Sequence, residues 1–223
     1  MRRISHNTYA TVFGVVYLGL ITNVMLLVGC APLVFLLITT DPARSWPLIA
    51  VAAPLCAPAL CGAFTAFRAH GLGENRVIRA FWAGWRATAG RGVAVGAIAA
   101  TVLLVVAVDV RFFSADSWAV VVVPVLGTLA LLALAATPLA LTALAEAPGT
   151  RMRQVLTASV VLALRRWYLS AATLLVLAGQ VVLFTNSPAL ALGLTAAPAL
   201  YVAWANARFS LRPVLPAEHI PAL

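Results

Sequence analysis

A chain of 223 residues in which 63% are hydrophobic and only 9% charged, with mean hydropathy +1.02, lies far from a soluble domain, where about a quarter of residues are charged. This is the composition of an all-α, polytopic membrane protein built as a single transmembrane domain over residues 1–223. The net charge of +9 rests on fifteen basic residues that are all arginine, and membrane orientation accounts for it, so nucleic acid is not an expected partner. The absence of Lys beside an Ala/Val/Leu bias points to a G+C-rich bacterial genome.

The N-terminus, "MRRISHNTYATVFG", carries a twin Arg before an apolar run, but no small-residue cleavage site follows, so an uncleaved first helix is expected. A span needs roughly 20 apolar residues. The first covers Tyr9 to Thr39, is over-long, carries Asn23, and should bend at Pro32. The second, Trp46 to Phe67, contains Pro47, Pro54 and Pro58, each lacking a backbone donor. The three cysteines, Cys30, Cys56 and Cys61, fall inside these two apolar runs and read as small buried hydrophobes.

Between spans two and three lies the basic stretch 68–91, with Arg68, Arg76, Arg79, Arg86 and Arg91. Val77, Ile78, Phe81, Trp82 and Trp85 fall on one helical face with Arg76, Arg79 and Arg86 on its flanks. An amphipathic helix is therefore expected to lie in the cytoplasmic interface, its Trp rings at headgroup depth and its guanidinium groups snorkelling to phosphates. That stretch is also the candidate cytoplasmic docking surface. Span three runs from Gly92 to Val108 and ends at Asp109, with Arg111 close enough in sequence to pair with it. Span four, Trp118 to Leu144, is interrupted by Pro124, Gly127 and Pro138. A second basic segment, 145–167, leads to span five, Tyr168 to Phe184, which carries Gln180. Span six covers Pro188 to Asn206.

Counting Arg by loop puts thirteen on one side and only Arg44 and Arg111 on the other, so the positive-inside rule places both termini in the cytoplasm. The order span, basic helix, span occurs twice in the same orientation, and an offset of 80 aligns Pro58 with Pro138 and Arg86 with Arg166. This is the hydropathy signature of a parallel repeat rather than a match of residues.

No phosphate-cradling loop, zinc-protease motif or nucleophile elbow occurs, so no catalytic residue, cofactor or metal ligand is assigned. His6, His70 and His219 are dispersed. Of the six acids, Asp41 and Asp116 fall in outer loops and Glu74, Glu146 and Glu218 inside, leaving Asp109 as the one nearest the membrane. Asn23 and Gln180 should form interhelical hydrogen bonds. Pro-broken spans at corresponding places in two halves, here two and four, form the alternative: a solute site of a small permease.

The segments "NVMLLVGCAPLVFLL", "PALCGAFTAFR", "FWAGWR" and "VVAVDVRFF" together resemble the YesL family of bacterial membrane proteins. Asn23, Pro32, Pro58, Arg68, Phe81, Arg86 and Asp109 occupy the family's characteristic places over the first half of the chain. The resemblance implies an integral protein of the bacterial cytoplasmic membrane, of no known activity and often encoded beside carbohydrate-uptake genes. The expectation is a non-enzymatic accessory subunit whose partners are the lipid bilayer and other membrane-transport subunits.

Overall fold

The computed structural model describes residues 6–74, 76–115 and 117–213, and all of their regular structure is helical. Arg2, Arg3, Asp116, Glu218 and His219 lie outside the described residues. Ten α-helices follow in chain order: α1 His6–Gly29, α2 Ala31–Thr39, α3 Pro42–Ala52, α4 Ala57–Gly71, α5 Val77–Phe113, α6 Ala119–Glu146, α7 Met152–Arg165, α8 Trp167–Asn186, α9 Pro188–Leu190 and α10 Ala196–Leu211. A 3₁₀ turn, Ala53–Cys56, joins α3 to α4, and a π turn, Ala191–Thr195, joins α9 to α10.

Five continuous helical stretches are long and apolar enough to cross a membrane: 44–71, α5, α6, α8 and 188–211. The pair α1–α2 makes a sixth when taken as one span, bent by 74°. Its break falls at Cys30, two residues before Pro32, which sits exposed in the first turn of α2. Proline belongs there, because the first-turn amides of a helix have no intrahelical acceptor. The all-α bundle expected from hydropathy is therefore present, with the bend where proline chemistry puts it.

Two local expectations are corrected. Residues 77–91 do not form a separate in-plane helix: they open the 37-residue α5, about 55 Å long, which continues without a break through span three. Their buried stripe is Val77, Phe81, Gly84, Thr88, Gly92 and Val95. That stripe faces α4, so Phe81 is fully buried against Gly62 instead of lying among lipid headgroups. Pro124 and Pro138 do not interrupt span four, because α6 runs unbroken from Ala119 to Glu146 through both. The second basic segment does fold as expected, with α7 a distinct amphipathic helix carrying Arg153 and Arg165 and burying Val155, Ser159, Leu162 and Ala163.

Close packing of α4 on α5 explains why so weakly hydrophobic a stripe is buried. Gly84, Thr88, Gly92 and Gly96 recur every four residues on α5, the small-x-x-x-small spacing that lets helix backbones approach in a membrane. Opposite them the partners fall in reverse order, Thr65 at Gly84, Pro58 at Gly92 and Pro54 at Gly96, as an antiparallel pair requires. A Cβ on Gly84 would lie 2.6 Å from Thr65 Cβ, and one on Gly96 would lie 2.9 Å from Pro54 Cα. Neither site has room for any side chain.

Candidate functional site

Inside an apolar bundle every polar group must find a partner in the protein, so the buried polar side chains show where the fold departs from simple packing. Two places join such groups across helices. The first is the π turn. Wide turns of this kind break the regular i→i+4 ladder, and here a side chain bridges the Gly193 carbonyl and the Ala197 amide, the pair that such a bond would join. Asn23 of α1, only 2% exposed, donates from Nδ2 to Gly193 O at 2.8 Å and accepts from Ala197 N at Oδ1 at 2.7 Å. Two residues earlier, Gln180 of α8 donates to Ala191 O at 2.8 Å and accepts the Thr195 hydroxyl at 2.9 Å. The two amides singled out in the sequence thus meet on one five-residue turn, from opposite helices. Each donates one bond and accepts one within the protein, which makes them interhelical ties.

The second place is the end of the bundle where α4, α6 and α10 finish together. Glu146, the last residue of α6, is 1% exposed. Its Oε1 accepts the Trp204 indole N–H at 3.2 Å and faces Arg208 Nε at 3.6 Å, while Oε2 is buried with no hydrogen-bond partner. Arg208 also lies over the Trp204 ring at 5.2 Å. From α4, Arg68 donates to the carbonyls of Ala145 and Glu146 at 3.1 and 2.9 Å, closing the C-terminus of α6. Phe67, Tyr201 and Trp204 pack as an aromatic wall beside this cluster, with ring centroids 5.4 to 6.0 Å apart. An acid read from sequence as a cytoplasmic loop residue is therefore the most buried charge described. Its one signal was position: in "LTALAEAPG" it ends an unbroken apolar run, and the Arg that answers it is 62 residues away in sequence.

Asp109 does not take that role. It is half-buried on α5, and it forms no ion pair with Arg111 among the described residues, because side chains two apart on a helix project to opposite sides. Pro58 is buried against Gly92 and Pro138 half-buried inside α6, so both serve packing. The α4–α6 interface, where a solute site between Pro-broken spans was the alternative, is in direct contact, with the Cys61 thiol 3.6 Å from Leu141 O. A cavity of about 370 Å³ opens instead between α1, α4 and α10, walled by Leu18, Phe67, Tyr201 and Val202 with His70 beside them.

The arginines divide into two groups by what they touch. Arg68, Arg91, Arg166 and Arg208 bind within the protein; Arg91 donates to the carbonyls of Pro148 and Thr150, and Arg166 donates to Phe209 O at 2.8 Å. Arg76, Arg79 and Arg86 on α5, with Arg151, Arg153 and Arg165 at α7, are exposed and make no ion pair among the described residues. Trp82 and Trp85, half-buried, stack edge to face at 5.7 Å and cover Phe81. Of the expected docking surface, Arg76, Arg79 and Arg86 are thus exposed, while Arg68, Arg91 and the aromatics are held in the fold. Among the described residues no three His, Cys, Asp or Glu side chains gather as a metal site. No protein-family model, curated protein or solved structure matches the chain.

Proposed function

We propose that this membrane protein is a non-enzymatic accessory subunit of YesL-like type, working beside a carbohydrate-uptake system in a bacterial cytoplasmic membrane, with its arginine-rich end in the cytoplasm. The observation that carries the reading is the sorting of the arginines. Four are engaged by internal carbonyls, a carboxylate and ring faces, whereas Arg76, Arg79 and Arg86 stand exposed along one end of α5 without acids to answer them. A row of unanswered guanidinium groups complements an acidic protein surface, and a permeation path does not need it.

Deleting the gene should slow growth on particular glycans and leave other carbon sources unaffected. Replacing Arg79 and Arg86 by Gln should reproduce part of that defect with the protein still in the membrane, and should cut co-purification of transport subunits from native membranes in mild detergent. A second reading, a small permease, draws on two observations: the buried Glu146 with an open Oε2, and the cavity between α1, α4 and α10. Solute flux through the purified chain alone in liposomes, lost in Glu146→Gln, would put that reading first.

A further inference from the structure

A groove of about 170 Å³ runs between α5, α6 and α7, away from the buried clusters described above. At its inner end the floor is Val95, Ala140 and Ser159, all buried, and its rim is Ile98, Leu129 and Val160, all exposed. The hydroxyls of Ser159 and Thr137 both donate back onto their own helices, to Val155 O and Ala133 O at 2.7 Å, so neither donor is left for a solute and the lining is almost wholly apolar. From Leu129 to Ala140 the groove follows α6 for about 16 Å, roughly half of a hydrocarbon core about 30 Å thick. That is the reach of one acyl chain within one leaflet.

Two arginines lie just beyond the lining at the groove's inner end. Arg91 lies four residues before Val95 on α5, and Arg153 three residues before Leu156 on α7, so both stand one turn beyond lining residues on the same helical faces. Arg91 spends two of its five N–H donors on Pro148 and Thr150, which fixes it beside the start of α7. Arg153 is exposed with no partner among the described residues, and α7 begins with no side-chain cap on its first amides. An apolar slot of one-leaflet length with two arginines one helical turn beyond its lining matches one amphiphile class.

We propose that the α5–α6–α7 groove is a binding site for an anionic phospholipid, one acyl chain lying along α6 and the phosphate held between Arg91 and Arg153. Any lipid would cover an exposed apolar groove; the inference is that the anionic headgroup is selected.

The test uses the full chain purified in non-ionic detergent, with thermal unfolding and native mass spectrometry as readouts. Phosphatidylglycerol near a hundredfold excess over its Kd should raise Tm by about 5 °C and persist as a one-to-one adduct, and phosphatidylcholine should do neither. Inorganic phosphate should give no shift, since the chain supplies the affinity and the head the choice. Arg153→Glu should abolish the phosphatidylglycerol shift, and Ala136→Phe, which fills the groove without touching charge, should abolish it too. If Ala136→Phe does not fold, Ala133→Leu on the same wall serves instead. Arg79→Glu, remote from the groove, should leave the shift intact. Equal stabilisation by both lipids, an equal shift from phosphate alone, or a phosphatidylglycerol shift that survives both the charge and the filling variants would overturn the proposal.

Discussion

Glu146 accepts the Trp204 indole and faces Arg208, so two groups of α10 depend on a carboxylate supplied by α6. Removing one member of a buried ionic contact leaves its partners desolvated without compensation, which costs more than the contact itself is worth. Glu146→Ala should therefore lower stability by about 2–3 kcal/mol, and Glu146→Gln, which still accepts from Trp204, by about half as much. Thermal unfolding in detergent reads both; equal losses would show that the charge, not the hydrogen bond, is what matters. The tie at the π turn is weaker by comparison. Asn23→Leu removes two hydrogen bonds at close to constant volume, and at the value typical of bonds between membrane helices it should cost about 1 kcal/mol. A loss well above that would mean that the π turn itself collapses without its bridge.

At the scale of elements, α5 shows what hydropathy can and cannot disclose. Its membrane-crossing part was legible because Gly92 to Val108 is apolar without interruption. Its first four turns were not, since four arginines in residues 76–91 argue against insertion and the bulky face of Phe81, Trp82 and Trp85 suggests lipid contact. What decides the matter is the stripe of Gly84, Thr88, Gly92 and Gly96. Such a stripe carries almost no hydropathy signal, and its value lies entirely in how closely α4 approaches. A paired test separates this from general helix propensity. Gly84→Ala should destabilise by about 2 kcal/mol because Thr65 must move, whereas Gly90→Ala, whose Cβ would meet nothing within 4 Å, should be neutral or stabilise by up to about 1 kcal/mol. The same reasoning explains α6: Pro124 and Pro138 mark expected breaks, but a membrane helix whose neighbours and local adjustments satisfy the freed carbonyls continues through proline.

Across the whole molecule, the all-helical apolar architecture was readable from sequence, with five of the six expected spans continuous and the first sharply bent, while the partners of the buried groups were not, because Asn23 meets residues 170 and 174 positions away. The duplicated span order does not carry over to the helices: the first basic stretch opens the continuous α5, whereas the second forms the separate α7 ahead of α8. Orientation then follows from charge. Eleven described arginines cluster at the end where α4, α6 and α10 terminate, against Arg44 and Arg111 at the other, an imbalance that should hold this end in the cytoplasm. Single cysteines introduced as Ser45→Cys and Ser114→Cys, in a background with Cys30, Cys56 and Cys61 replaced by Ala, should react with a membrane-impermeant maleimide on intact cells. Thr150→Cys, in the loop that Arg91 clamps, should react only after the membrane is opened. Labelling of Thr150→Cys from outside would invert the topology. It would also turn the exposed arginines of α5 away from any cytoplasmic partner, so the accessory-subunit reading stands or falls with this result.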